Sequence, residues 1–182
     1  MEFAVRYFAL LGVLALLALA GSAGVLVVTG TASARPESGN DGALSVKNAD
    51  GRVVIIASKG VVIGRLGKGQ VTIKDPNPND GPGPIVTGAD SRESLGEKTT
   101  RYSGSNIRFR IIGGSYSLTV FGTDIDLSAV GRGMVTLDGT ISAKSNSAAD
   151  DDTYAVNGTP PQPFPTFRFT FPLAAPPIAP GG

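Results

Sequence analysis

Three residue types are missing from the 182-residue chain: cysteine, histidine and tryptophan. Without cysteine there are no disulfides, no zinc thiolate sites and no thiol nucleophile. A small exported domain of this kind has to be held together by its apolar core. Without histidine the chain lacks the commonest general base and the commonest transition-metal ligand. Charge of one sign is missing too, since 16 Lys+Arg face 15 Asp+Glu. A near-neutral chain does not carry the net basic surface of a nucleic-acid binder, so no nucleic-acid partner is expected. After residue 34 no segment sustains a helical period, so helices are expected to be minor. Glycine and proline are plentiful, at 25 and 13 residues, which suits short strands joined by tight turns.

The first segment is the most explicit. No charge occurs between Arg6 and Arg35, and the apolar part from Phe8 to Val28 covers 21 positions. As a helix, at about 1.5 Å per residue, it would cross a hydrocarbon core of roughly 30 Å. Arg6 on its N-terminal side permits an N-terminus-inside orientation. The run exceeds the roughly 7–15-residue core of a cleaved signal peptide, which favours a retained anchor. The Ala32-Ser33-Ala34 triplet, with Gly21-Ser22-Ala23 as a second site, fits signal cleavage. The expected location is therefore the membrane, with the following domain outside the cytoplasm. The alternative is secretion after cleavage following Ala34.

The expected organisation is an anchor or signal at 1–34, a linker at 35–44, an all-β domain at 45–172 and a flexible Pro/Gly tail at 173–182. Strands are expected at 52–57, 61–63 and 71–74, with turns at 58–60 and 64–69. Residues 75–84 hold four prolines and read as a loop, and the polar 88–106 stretch reads as a long connection with room for a short strand near 98–102. Residues 107–111 and 116–121 both alternate with period two, and Gly113-Gly114 between them is expected to close a tight hairpin. Ile125, Leu127, residues 135–137 and Ile141 continue the pattern. A polar, acidic loop at 145–153, a short strand with a turn at 154–158, an extended Pro-rich 159–165 and a last strand at 167–171 complete it. The pattern Gly-basic-Gly-x-Val-Thr-aliphatic occurs at 67–73 and again at 131–137, which reads as an internal repeat. The expected fold is all-β: a β-sandwich or flattened barrel of two related β-meanders.

Several constellations invite a functional reading. Asp75-Pro76-Asn77-Pro78-Asn79-Asp80-Gly81 resembles a calcium loop, but glycine falls one position late and position twelve is Val86 instead of a glutamate. An Asx/Pro turn explains it with less. Asp124 and Asp126 lie two apart on an expected strand, about 7 Å apart on one face, a spacing that suits paired carboxylates in glycoside hydrolysis. A solvated polar face opposite Ile125 and Leu127 is the plainer explanation. Asp150-Asp151-Asp152 is an acidic loop cluster. The two Gly-basic-Gly copies offer main-chain N–H groups to an anion, yet no helix follows either. Arg108, Arg110 and Arg168 are candidates for a basic stripe, with edge protection as the alternative. Asn157-Gly158-Thr159 is an N-glycosylation triplet. No catalytic, cofactor-binding or metal residue is assigned, and no cofactor is expected.

Residues 107–139 carry the Gly113-Gly114 pair, the run Asp124-Ile125-Asp126-Leu127-Ser128-Ala129-Val130-Gly131 and the Gly-Arg-Gly-x-Val-Thr-Leu ending. This stretch resembles exported β-rich proteins of actinobacteria to which no activity is assigned. The resemblance implies a membrane-anchored envelope protein and carries over no site residues. The expected role is a non-enzymatic interaction or structural one, with an envelope protein or polysaccharide as partner. The alternatives are a secreted carbohydrate-active enzyme using Asp124 and Asp126, and a carrier of lipid or another small apolar ligand.

Overall fold

A computed structural model of the protein describes residues 40–139 and 152–176. The apolar segment 1–34, the first half of the expected linker, Ile141, most of the acidic 145–153 stretch and the end of the tail lie outside the described residues. Eight strands follow in order: β1 (Gly42–Lys74), β2 (Ile85–Thr87), β3 (Ser91–Gly96), β4 (Thr99–Ile112), β5 (Tyr116–Gly139), β6 (Thr153–Val156), β7 (Gln162–Pro163) and β8 (Phe169–Leu173). All belong to one antiparallel sheet, and no helix occurs among the described residues. The described residues are all-β, as their sequence pattern implies.

The connectivity differs from a pair of meanders. On one edge β1 keeps a nearly constant register over its whole length: residues 42–57 pair with 131–116 of β5, and residues 61–74 with 112–99 of β4. Ala57 opposes Tyr116 and Val61 opposes Ile112. The 58–60 segment therefore faces the 113–115 segment. Strands β4 and β5 lie end to end along β1 and do not pair with each other. Gly113 and Gly114 do adopt positive φ, 71° and 74°. They form a corner in one long strand, where the Gly113 N–H donates to the Gly60 carbonyl at 2.8 Å. Alternation on both flanks was legible, but which strand each flank pairs with is a long-range choice that local pattern does not encode.

The other edge of β1 also meets β5. Val120 pairs with Val53 on one side and with Val71 on the other, and Leu118 likewise with Ile55 and Ile73. The partners on the two sides are 18 residues apart along β1. A single long antiparallel ribbon is thus wound so that its edge returns to itself once per 18 residues. The segments read as strands separated by turns at 58–60 and 64–69 are one continuous strand, because the glycines there bend the strand without ending it.

Glycines mark the bends. Gly42, Gly51, Gly60 and Gly69 recur every nine residues along β1, and Gly104, Gly113, Gly122 and Gly131 do so along its partner. Nine residues are half a turn, about 30 Å at roughly 3.3 Å per residue. Pairing lines these glycines up across the sheet: Gly139, Gly51, Gly122, Gly69 and Gly104 are successive neighbours. At Gly69 φ is +148°, and an added Cβ would lie 2.7 Å from the Gly122 Cα and 2.9 Å from Leu66 Cδ1. Only glycine accommodates both that backbone and that approach.

Because nine is odd, the inward-facing parity flips at each corner. Leu44 and Val46 point inward before Gly51, Val53, Ile55 and Ala57 after it, Val62 and Leu66 after Gly60, and Val71 and Ile73 after Gly69. The partner shows the same shift: Ile107, Phe109 and Ile111, then Tyr116, Leu118 and Val120, then Ile125, Leu127 and Ala129. The two sets of half-turns make two walls around these side chains. The first wall contains 43–50, 61–68, 105–112 and 123–130, flanked by β2 and β6. The second contains 52–59, 70–74, 99–103, 116–121 and 133–138, flanked by β3 and β8.

The flanking pieces fasten the ribbon. Strand β1 starts at Gly42, inside the stretch read as linker, and Leu44 is already buried. Asn157 holds this start, accepting from the Ala43 N–H at 2.8 Å and donating to the Ala174 carbonyl at 2.9 Å. The last strand, β8, begins at Phe169 and pairs with the end of β5. Phe167, at the start of the stretch expected to be the last strand, lies before β8 and is 67 % exposed. Phe169 and Phe171 stack with Tyr154, at centroid distances of 5.4–6.4 Å, where the rims of the two walls meet. The polar 88–106 stretch is more ordered than its sequence suggests. It holds β3, exposed along its whole length, and the half-buried start of β4, where Tyr102 packs against the core, so no clear apolar alternation announces it.

Candidate functional site

The two candidate carboxylates have separate surroundings. Asp126 sits on the outer side of the first wall, accepting from the Arg65 guanidinium at 2.6 Å and from the Asn48 N–H at 2.9 Å. Asp124 has positive φ (52°) beside Gly67, and its N–H donates to Asp50 at 3.0 Å. Asp126 thus steadies an irregular stretch of β1 and neutralises Arg65. Arg65 needs this, because it pairs directly opposite Arg108, a like-charge arrangement that destabilises a sheet.

The Asx/Pro loop at 75–84 closes on itself and on the Gly113-Gly114 corner. Asp75 accepts from the Asn77 N–H at 3.2 Å, and Lys98 Nζ donates to the Pro76 carbonyl at 2.7 Å. Asp80 accepts from both the N–H and the hydroxyl of Ser115, at 2.9 and 2.8 Å. Those two bonds hold its carboxyl below the ordinary carboxylate pKa. Among the described residues no group of three or more acidic side chains converges as a metal site would require. Beneath this loop lies a small cleft lined by Ile73, Ile111 and Tyr116 among others, with about 250 Å³ of empty space, open solvent included. Typical small-molecule sites hold roughly 300–1,000 Å³. Tyr116 is buried there, which pushes its phenol well above the usual tyrosine range. Neither Asp124 nor Asp126 lines this cleft.

The Gly-basic-Gly copies lie within strands. Lys68 pairs with Ser105 on one side and Thr123 on the other, and Gly133 with Ala57 and Leu173. Their main chain is engaged in the ladder. Arg132 donates to the nearly buried Asp41 at 2.9 Å. Asp150 and Asp151 lie outside the described residues; the Asp152 carbonyl accepts from the Phe164 N–H at 2.7 Å. The Asn157 amide of the glycosylation triplet is tied to Ala174, as described above.

The basic stripe is real in part and has a different third member. Arg108 and Arg110 project from the outer side of the first wall and are exposed. Neither makes an ion pair among the described residues. Arg168 immediately precedes β8 on the second wall, so pairing does not bring it beside them. Arg65 takes its place, next to Arg108 across β1 and β4. Ile63 and Ile85 flank Arg110 in one row, at 44 % and 56 % exposure. The sequence pattern put Ile63 in a strand without assigning it a face and gave Ile85 no role. The nine-residue glycine spacing was the available signal, because it sets the parity that turns Ile63 outward. Comparison with family models, with curated proteins and with solved structures finds no match for the chain.

Proposed function

We propose that the protein is a membrane-tethered, non-catalytic interaction domain of the cell envelope, a flattened barrel held outside the cytoplasm by its N-terminal apolar segment. The observation that carries this reading is how its polar side chains are used. Asp41, Asp50, Asp80, Asp126 and Asn157 bond to main-chain groups or to an arginine at strand ends, corners and irregularities. These are fastening roles in a wound sheet. A hydrolase built on Asp124 and Asp126 finds less support, since Asp126 is occupied by Arg65 and Asn48. A small-ligand carrier would need room between the walls, where Val53, Ile55, Leu118 and Val120 are fully buried.

The tether rests on the uncharged run from residue 7 to residue 34. Its test is fractionation of cells making the full chain, with N-terminal sequencing of the mature protein. The expected result is retention in membranes after an alkaline carbonate wash, with residues 1–34 still attached. Recovery in the medium, starting at Arg35, would contradict the tether and support the secreted form.

A further inference from the structure

The outer side of the first wall sets Arg108 and Arg110, which make no ion pair among the described residues, beside exposed isoleucines. The second wall also exposes Ile56, Phe121 and Met134, but its Arg52, Arg92 and Arg101 are engaged by Phe121, Tyr102 and Glu93. Ile85, Arg110 and Ile63 form one cross-strand row, and Thr87, Arg108, Arg65 and Asp126 form the next. Three arginines thus face one aspartate, and two exposed isoleucines lie among them. A soluble polyanion would satisfy the arginines and leave both isoleucines in water. A bilayer interface with anionic headgroups takes both, the guanidinium groups at the phosphates and the isoleucines at the acyl boundary.

The place where the chain enters the fold fits the same partner. Gly42 starts β1, and Ser45 is joined to Arg110 through Ser128 and Ile63 in a single row of the first wall. At about 4.8 Å per strand step, Ser45, near the start of β1, is roughly 14 Å from Arg110. Only 13 residues separate Val28 from Gly42 in the sequence. Each arginine near an anionic surface then adds about fivefold to the docked population.

We propose that the Ile63, Ile85, Arg65, Arg108 and Arg110 surface docks the domain onto anionic phospholipid of the membrane that anchors it. This rests on residues 1–34 acting as the anchor.

The absence of cysteine allows a clean test. The full chain carrying Ile85→Cys, labelled with a polarity-sensitive fluorophore, is reconstituted into phosphatidylcholine vesicles with and without about 30 % phosphatidylglycerol. Ile56→Cys, on the outer side of the second wall and 57 % exposed, is the control position. The label at 85 should shift to the blue only on anionic vesicles, and the label at 56 on neither. The shift should disappear at ~0.5 M salt, and R108Q/R110Q, which removes both charges, should lower the ratio of docked to free domain about 25-fold, two steps of about fivefold. If the chain survives a carbonate wash but the label at 85 stays in water on anionic vesicles, docking is overturned and the anchor stands. A shift at 56 equal to that at 85 overturns the assignment of the face. Release by carbonate overturns the anchor, and docking falls with it.

Discussion

The two outer surfaces of the wound sheet are built on the same ribbon and differ in what their charges do. On the second wall, Lys74 pairs with Glu97 and Arg101 with Glu93, while Arg52 lies 5.5 Å over the Phe121 ring. Between them runs a row of Thr170, Thr136, Val54, Thr119 and Thr72, with the Thr136 and Thr170 hydroxyls bonded at 2.9 Å. Those charges are answered within that surface. On the first wall Arg108 and Arg110 have no counter-ion among the described residues, and Asp126 pairs with Arg65. Inward packing is equivalent on both walls, so the folding requirement does not explain the contrast. The docking proposed above for the first wall would explain it.

The largest expected effect removes the comparison altogether. Gly69→Val forces a β-branched residue into positive φ and against the neighbouring strand, which should cost about 3–5 kcal/mol. Denaturant melts would register it, with Gly83→Ala as the matched control. No atom lies within 4 Å of a Cβ at Gly83, so that change should stay within ~0.5 kcal/mol. Next in size is Leu118→Ala, which empties the space where the walls meet and should cost about 2–5 kcal/mol. An equal, small effect for Gly69→Val and Gly83→Ala would mean the corners are ordinary turns.

The periodic part of this architecture was legible and its meaning was not. Alternation at 107–111 and 116–121 located those strands and their inward residues correctly. The glycines at 60, 64–69 and 113–114 were read as turns, since isolated glycines in strand patterns usually end or break a run. The regular nine-residue interval distinguishes a corner from a turn, and it becomes meaningful once Gly51, Gly122 and Gly69 are seen side by side. Strand β3 was illegible for another reason. Its six residues are all exposed, so pairing there rests on main-chain bonds that leave no hydrophobic period. Of the candidate site, Arg108 and Arg110 were visible, while Arg65 and Ile63 depended on the parity shift at Gly60.

Smaller perturbations sharpen the contrast between the surfaces. Asp126→Ala on the first wall removes the partner of both Arg65 and the Asn48 N–H, and the carboxylate is only partly exposed. A loss of about 1 kcal/mol is expected in a melt. Glu97→Ala on the second wall breaks a pair exposed at both ends and should change stability by under ~0.5 kcal/mol.

The smallest effect concerns the Asp80 clasp on the Gly113-Gly114 corner. Its pKa is lowered in the folded state by Ser115. The clasp is therefore intact at and above the ordinary carboxylate pKa and is lost only as pH falls through the lower, folded value. Protection of the Ser115 amide, measured against the intrinsic exchange rate at each pH, should be high at neutral pH and fall in strong acid, and Asp80→Ala should lower it at neutral pH. Exchange that is unchanged in Asp80→Ala would remove the clasp from the account.

Closure of the ribbon on itself underlies every statement about the two surfaces, and Phe121 reports on it directly. Phe121 neighbours Arg52 on one side and Gln70 on the other. In a chain without native cysteine, Phe121→Cys combined with Arg52→Cys, or with Gln70→Cys, can be treated with a short thiol cross-linker. Both pairs should cross-link rapidly in the folded protein. Phe121→Cys with Ser103→Cys, one strand beyond Gln70, should react far more slowly. Efficient cross-linking of one neighbour and failure of the other would show an open sheet and contradict the closed, wound ribbon.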